Sequence, residues 1–370
     1  MRLDIVRDEA GFAALEPVWD ALLDCSATCT PFMRWDWVRL WWEEFGADFE
    51  LTIAVLRNDA ALPVAIAPLM IGREKTGMRK HLRHLGFLGG LGEARGERMD
   101  FLVPAGNEDE MTPQLCEAFA LLREEWETVW LNKLPEESPN HAHVSAALKA
   151  CAVESGVVIR TSCTIIQLAG GWADFERRLP GRQRRKLQRA GEMLRADHQV
   201  IESLVTAEEA ASRLDEFAAL HRQHFPEGVS TFITPRSWRF HRRLGVKWLA
   251  SGRALLPYIS LDRQMVGGIY GFVERDEFFF YQMGWDAGYS RFSMGHLSLR
   301  WALEGCLARG MRIFDMLPGT YRYKSDWAPS VRYVMDLEGY RSESMRASAF
   351  RSVRHLKRLL LRSPNPSSIE

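Results

Sequence analysis

Residues 265–327 constrain the fold of this chain more than any other stretch: MVGGIYGFVERDEFFFYQMGWDAGYSRFSMGHLSLRWALEGCLARGMRIFDMLPGTYRYKSDW. Met265–Phe272 and Glu277–Gly284 are rich in aromatic and β-branched residues, and Arg275-Asp276 can turn between them, so the pair predicts a β-hairpin. Leu299, Ala302, Leu303, Cys306 and Leu307 follow helical spacing, and Gly310 stands where a helix stop is expected. Met311–Met316 then reads as a short apolar strand. A helix that starts at a glycine-bearing loop after a strand offers free backbone N–H groups to an anion such as a pyrophosphate. This order of elements predicts a fold that holds a phosphorylated carrier above a β-sheet.

The 370 residues suit two domains rather than one. Apolar residues make up 46 % of the chain, enough for a sizeable core, and 48 basic against 48 acidic residues argue against a general DNA-binding protein. The first residues, MRLDIVRDEAGF, lack the apolar run of a signal peptide, and Leu62–Ile71 is too short to cross a membrane. A soluble, cytoplasmic protein is the expectation. The six cysteines are scattered without a C-x-x-C pair, which predicts buried reduced thiols. No spacing favours Cys163 or Cys306 as a nucleophile.

In the first half, Leu3–Val6 reads as a strand, Ala13–Leu23 and Trp35–Phe45 as helices, and Leu51–Arg57 with Leu62–Ile71 as a hairpin around Asn58-Asp59. Met99–Val103 and Thr128–Leu131 read as strands flanking a helix at Thr112–Arg123. A further helix over Ala142–Glu154 would end at Gly156. Gly170-Gly171 is the expected joint, giving domains at 1–168 and 169–340. In the second half, Asp174–Leu179 leads into a basic amphipathic helix, GRQRRKLQRAGEMLRAD (181–197), and helices are predicted over Glu208–Phe225 and Pro235–Ala250, with strands at Tyr258–Leu261 and Arg332–Leu337. Residues 341–370 read as a basic helix and a disordered Pro/Ser tail that could meet an anionic membrane surface or a nucleotide. Trp37 and Trp41, with Trp35 and Trp42 beside them, point to core packing or domain docking, with sugar stacking as the alternative.

Several stretches of the second half resemble the acetyltransferase domain of the CelD/BcsL family, a BioF2-like relative of the FemAB peptidyl transferases within the GNAT superfamily. They are the basic helix Arg182–Arg189, FAALHRQHF at Phe217–Phe225, GGIYGF at Gly267–Phe272, YQMGWDAGYSRFSMG at Tyr281–Gly295 and FDMLPGTYRYKSDW at Phe314–Trp327. The match covers roughly residues 165–330. In the first half, PFMRWDWVRLWWEEFG and the hairpin ending in APLMIG have a similar look. The resemblance implies an α/β (α+β) fold of tandem GNAT-like N-acyltransferase domains, each a mixed, mostly antiparallel sheet flanked by helices. It further implies acetyl-CoA as donor, no metal, and an amino sugar or related glycan precursor of exopolysaccharide or envelope synthesis as acceptor. Two alternatives are a FemAB-like transferase drawing on charged tRNA and a non-catalytic binding module. The superfamily's phosphate loop, [R/Q]-x-x-G-x-[G/A], corresponds here to Arg291-Phe292-Ser293-Met294-Gly295-His296. Met294 and His296 stand where small residues are expected, which would limit the approach of a phosphate.

Acyl transfer to an amine needs a proton acceptor, a site for the oxyanion and a proton for the leaving group. Asp315, at the end of an apolar strand, is the candidate base or acceptor-orienting carboxylate, and Tyr321 the candidate acid. Lys324 is the candidate anion-binding charge in the same loop. Met283-Gly284 is the candidate oxyanion bulge. Arg291, Ser293, Gly295 and His296 are the candidate donor-binding residues. Arg182, Arg185 and Arg189 share a helical face that suits an anionic acceptor, as does Tyr281. Arg184, Lys186 and Arg195 widen that patch. His221 and His224 stand three apart on one helix rather than the four of a zinc pair, and no third ligand accompanies them.

Overall fold

The computed structural model describes residues 1–74, 81–225, 232, 234–319, 322–327 and 330–361. The chain forms two compact units: residues 1–28, 45–160 and 335–370 make the first, and 29–44 and 161–334 the second. In chain order the elements are β1 (Arg2–Val6), α1 (Glu9–Ala13), α2 (Glu16–Cys25), α3 (Trp35–Phe45), β2 (Phe49–Leu51), β3 (Ile53–Arg57), β4 (Pro63–Ala67), β5 (Leu69–Gly72), β6 (His84–Phe87), α4 (Glu108–Leu121), β7 (Thr128–Pro135), α5 (Asn140–Cys151) and β8 (Val153–Gln167). Then come α6 (Trp172–Arg178), α7 (Gly181–Asp197), β9 (Val200–Leu204), α8 (Ala210–His224), α9 (Pro235–Ser251), β10 (Ala254–Leu255), β11 (Pro257–Leu261), β12 (Gln264–Glu274), β13 (Glu277–Trp285), α10 (Met294–Ala308), β14 (Ile313–Pro318), α11 (Arg322–Ser325), β15 (Ser330–Tyr340) and α12 (Met345–Leu361).

The division differs from the expected one at 168/169. Residues 29–44, carrying most of α3, cluster with the second unit, and residues 335–370 cluster with the first. Local pattern finds a helix but not the core that the helix joins. Two local expectations also change. Met99–Val103 makes only an isolated bridge, Ile66 to Leu102, rather than a strand. Helix α5 stops at Cys151, so Gly156 lies inside β8 instead of ending the helix. The disordered-tail expectation for residues 362–370 falls outside the described residues. No described helix is long and apolar enough to cross a membrane.

In the first unit, β1, β3 and β4 form one antiparallel sheet. Strands β2, β5 and β6 pair antiparallel, and β6 pairs in parallel with β7, the segment between them containing α4. The second unit repeats the last motif. Its strands β9, β11, β12 and β13 pair antiparallel, β13 pairs in parallel with β14 across α10, and β14 returns antiparallel to Cys163–Gln167 of β8. A parallel pair needs a crossover long enough to cover the sheet face, and a helix supplies it. Mixed sheets flanked by helices are thus the architecture of both units.

The sheet of the second unit is buried on both faces, which is why β12 and β13 read as nearly unbroken apolar runs. On one face Ile259, Val266, Ile269, Phe278 and Phe314 pack against Leu187 and Leu194 of α7 and Leu297, Leu303 and Cys306 of α10. On the other, Phe272 and Tyr281 meet Trp37 of α3, and Phe272 also meets Trp248 of α9. Trp37 and Trp41 are fully buried, so these tryptophans are core residues and offer no surface for a sugar. Gly267 permits the close approach of α10: a Cβ there would stand 2.5 Å from Ser298 Oγ and 2.9 Å from Met294 Cγ.

Candidate active site

Strands β13 and β14 run together only briefly. Their described pairing is Glu277 to Ile313, Phe278 to Phe314 and Phe279 to Asp315. Beyond Phe279, β13 keeps β12 on one edge and no longer has β14 on the other. The N-terminus of α10 stands at the open end, beside a cavity of about 430 Å³. Met283 and Trp285 of β13, Ser293, Met294, Gly295 and His296 at the start of α10, Lys186 of α7, Phe225 and Tyr323 line it.

A one-residue bulge decides which β13 side chains face this cavity. Tyr270 pairs with Gln282 and Gly271 with Phe280, so Tyr281 has no opposite number. An extra residue reverses the alternation of a strand. Before the bulge, Phe278 and Phe280 face α10; after it, Met283 and Trp285 do. Gly284 turns the other way. A Cβ there would meet backbone of α8, 2.9 Å from His221 N and 3.2 Å from its Cα. The bulge expected at Met283-Gly284 therefore lies at Tyr281, and Gly284 is glycine because a helix backbone lies against it.

The α10 N-terminus resolves the departure from the phosphate-loop pattern. Ser293 takes a left-handed conformation (φ 52°), the geometry usually left to glycine. Met294 is fully buried, its side chain directed toward Gly267 of β12, so its bulk does not fill the approach to the helix. The N–H groups of His296 and Leu297 return to the Ser293 carbonyl, and those of Met294 and Gly295 have no intrahelical acceptor. A Cβ on Gly295 would come no closer than 3.5 Å to Trp285 and 3.6 Å to Met283, so this glycine forms part of the cavity wall. The residues present thus suit an anionic group at the helix end, where the peptide dipoles favour negative charge.

His296 stacks on Trp327 and accepts from the Gln183 amide (3.0 Å) and the Trp327 indole N–H (3.3 Å) at Nδ1, which leaves the proton on Nε2. Burial, and after it the nearby Lys186 charge, lower its pKa against the opposing pull of Asp326, so it is neutral at neutral pH. Arg182, Arg184, Arg185, Lys186 and Arg189 are exposed along α7 and make no ion pair among the described residues. Only Lys186 of this run lines the cavity. Arg291 is drawn off to Asp197 (3.0 Å) and lies over the Phe292 ring, outside the lining.

The three residues expected to carry the chemistry fare differently. Asp315 is wholly buried: its Oδ1 accepts from Leu317 N (2.7 Å), and its Oδ2 accepts from Arg332, which also pairs with Glu277 at 2.7 Å. Burial works against the Arg332 charge, but Asp315 and Glu277 outweigh it and raise its pKa. A carboxylate so occupied is an ion-pair and loop-capping group rather than a base, and it is not part of the cavity. Lys324 is buried and donates to the carbonyls of Met316 (2.8 Å), Leu317 (3.1 Å) and Pro318 (3.4 Å), so it caps the end of β14 and is not among the residues that line the cavity. Tyr321 lies outside the described residues. Tyr281, at the bulge, shares a hydrogen bond with His241 Nε2 (3.2 Å) amid the α3 and α9 aromatics, on the face away from α10. All six cysteines are free; Cys163 and Cys306 are buried, and burial raises the Cys306 pKa far above the range in which a thiolate forms.

Sequence reasoning passed over Phe225, Trp285 and Tyr323 and placed Lys186 only in the wider basic patch. It weighed His221 for a metal alone. The signal was present: a histidine among Phe217, Ala218, Leu220 and Phe225 on a buried helical face needs a polar partner inside the fold. His221 finds one in the Met283 carbonyl, 2.7 Å from Nδ1.

Residues 180–325 match the sequence model of the acetyltransferase (GNAT) domain, a span that contains the parted strands, α10 and the cavity. They form a GNAT-type acetyltransferase domain. The protein is accordingly an acyltransferase. No curated protein matches the sequence. Among solved structures, the crystal structure of FemX is similar over 95 % of this chain and 100 % of its own, with a TM-score of 0.60 at 8 % identity. A conserved protein of unknown function from Bacteroides thetaiotaomicron covers 91 % of this chain and 100 % of its own, with a TM-score of 0.55 at 10 % identity. The C-terminal domain of a protein assigned as a lysylphosphatidylglycerol synthetase from Agrobacterium fabrum covers 93 % and 96 %, with a TM-score of 0.53 at 11 % identity. At such identities the likeness is one of fold.

Proposed function

We propose that the GNAT domain transfers an acyl group from acetyl-CoA to the amine of an amino sugar or a related precursor, in the cytoplasm, during exopolysaccharide or envelope synthesis. The observation that carries the donor half of this reading is the cavity where β13 and β14 part, with the α10 N-terminus and Lys186 at its side. The donor's phosphates would meet the N–H groups of Met294 and Gly295 and the Lys186 ammonium. Its acyl arm would lie along Met283 and Trp285. The amine nitrogen attacks the thioester carbonyl carbon, the C–N bond forms, and the carbonyl oxygen becomes an oxyanion. Backbone N–H groups on the open edge of β13 are suited to hold it. Collapse breaks the C–S bond, and the proton lost by the amine ends on the departing thiolate. Tyr321 is the group to test as the proton donor, and His296, neutral with Nε2 protonated, as a hydrogen-bond donor to the departing sulfur. The acceptor class rests on the resemblance noted in the sequence.

Isothermal titration of the full chain with acetyl-CoA tests the donor. Saturable binding that Lys186→Ala weakens is expected, and absence of binding by any acyl-CoA overturns the reading. The exposed cations Arg182, Arg184, Arg185, Lys186 and Arg189 of α7, which make no ion pair among the described residues, favour one second reading, a charged tRNA as donor, since such a row suits a phosphate backbone. Binding of aminoacyl-tRNA without acyl-CoA binding would select it.

A further inference from the structure

The bulged half of β13 is held from the face opposite α10 by two buried histidines. Tyr281, the bulged residue, shares its hydroxyl with His241 Nε2 of α9. Two residues on, the Met283 carbonyl accepts from His221 Nδ1 of α8 at 2.7 Å. Both imidazoles are essentially inaccessible, at 1 % exposure for His221 and 0 % for His241, and both pack on the Phe232 ring. The backbone of α8 lies directly against Gly284. Met283 is a wall residue of the cavity, on a strand that has lost β14 from one edge.

We propose that His221 is a positioning residue of the acyl-transfer site: its Nδ1–H fixes the Met283 peptide, and with it the cavity-facing turn of Met283 and Trp285, where β14 no longer braces the strand. The inference rests on the proposed function for its catalytic meaning, but its structural content stands apart. A histidine that merely fills space would be replaced by any side chain of similar size. One that donates from Nδ1 is replaced only by a group with a donor at that place, and the Asn amide nitrogen sits there, whereas the Gln amide reaches past it.

Hydrogen exchange read by mass spectrometry on the full chain, over the peptide containing Tyr281–Trp285, tests this with His221→Asn, His221→Gln and His221→Phe. Loss of one buried hydrogen bond should speed exchange there by about tenfold in H221Q and H221F, and H221N should stay near wild type. Equal exchange in H221N and H221Q overturns the proposal, and that comparison decides even where H221F fails to fold. In parallel, acetyl-CoA titration should show about tenfold weaker binding for H221Q and near-normal binding for H221N. If wild type binds no acyl-CoA while the exchange pattern holds, the donor assignment fails and the bracing of β13 stands. If wild type binds and H221Q binds equally well, the positioning role fails.

Discussion

Replacing Asp315 by asparagine separates a structural carboxylate from a catalytic one. Asp315 is fully buried and Arg332 only 14 % exposed, so neither charge is well solvated. Asparagine keeps an oxygen for the Leu317 N–H but removes the charge that faces the guanidinium. Breaking a buried ion pair by deleting one partner costs about 3–5 kcal/mol, because the remaining charge stays out of water. Glu277 still holds Arg332 at 2.7 Å, which favours the lower end, about 3 kcal/mol. For a unit of this size that corresponds to a fall in melting temperature of about 6–12 °C. Differential scanning calorimetry of the full chain would read it as a shift of the second unit's transition. Titration with acetyl-CoA well below that transition should give an affinity within about twofold of wild type, as a site that the residue does not line would. An unchanged melting temperature with abolished turnover would refute the reasoning and return Asp315 to the role of base.

Further outcomes follow from individual contacts. Burial holds the His241 pKa down to about 3, below its ordinary value near 6.5, with His221 adding to the effect. A depressed histidine binds fewer protons folded than unfolded, so stability falls as pH drops below about 6.5, by roughly 1.4 kcal/mol per unit until about pH 3; denaturant melts at pH 7, 6 and 5 should show this slope, flattened in His241→Phe. Gly284→Ala forces α8 off the strand and should cost about 1–3 kcal/mol, whereas Gly295→Ala meets nothing closer than 3.5 Å and should leave the melting temperature within about 1 °C while weakening acetyl-CoA binding. Lys324→Met strips its donors from three strand-end carbonyls and should lower stability by about 2 kcal/mol without changing the salt dependence of ligand binding. Lys186→Ala should do the reverse, weakening ligand affinity and its dependence on salt while leaving the melting temperature unchanged.

The sequence by itself determined the elements of the second unit and their order. Hydrophobic spacing placed the α10 helix, and the runs at 265–272, 277–284 and 311–316 became β12, β13 and β14, because apolar periodicity is a local property of the chain. Serine at 293 hid the left-handed turn that starts α10, since that conformation is usually left to glycine and φ is a property of the folded backbone. Tertiary structure alone decided which groups line the cavity. Asp315 and Lys324 looked like active-site residues because they follow a strand end. Asp315 pairs with Arg332 and Lys324 donates to three carbonyls, partners that no spacing rule announces. The bulge at Tyr281 decided that Met283 and Trp285, not Gln282 and Gly284, face α10, because one unpaired residue reverses every side chain after it. The assignment of α3 to the second core, and of His221 to the Met283 carbonyl, depended on contacts between residues far apart in the chain.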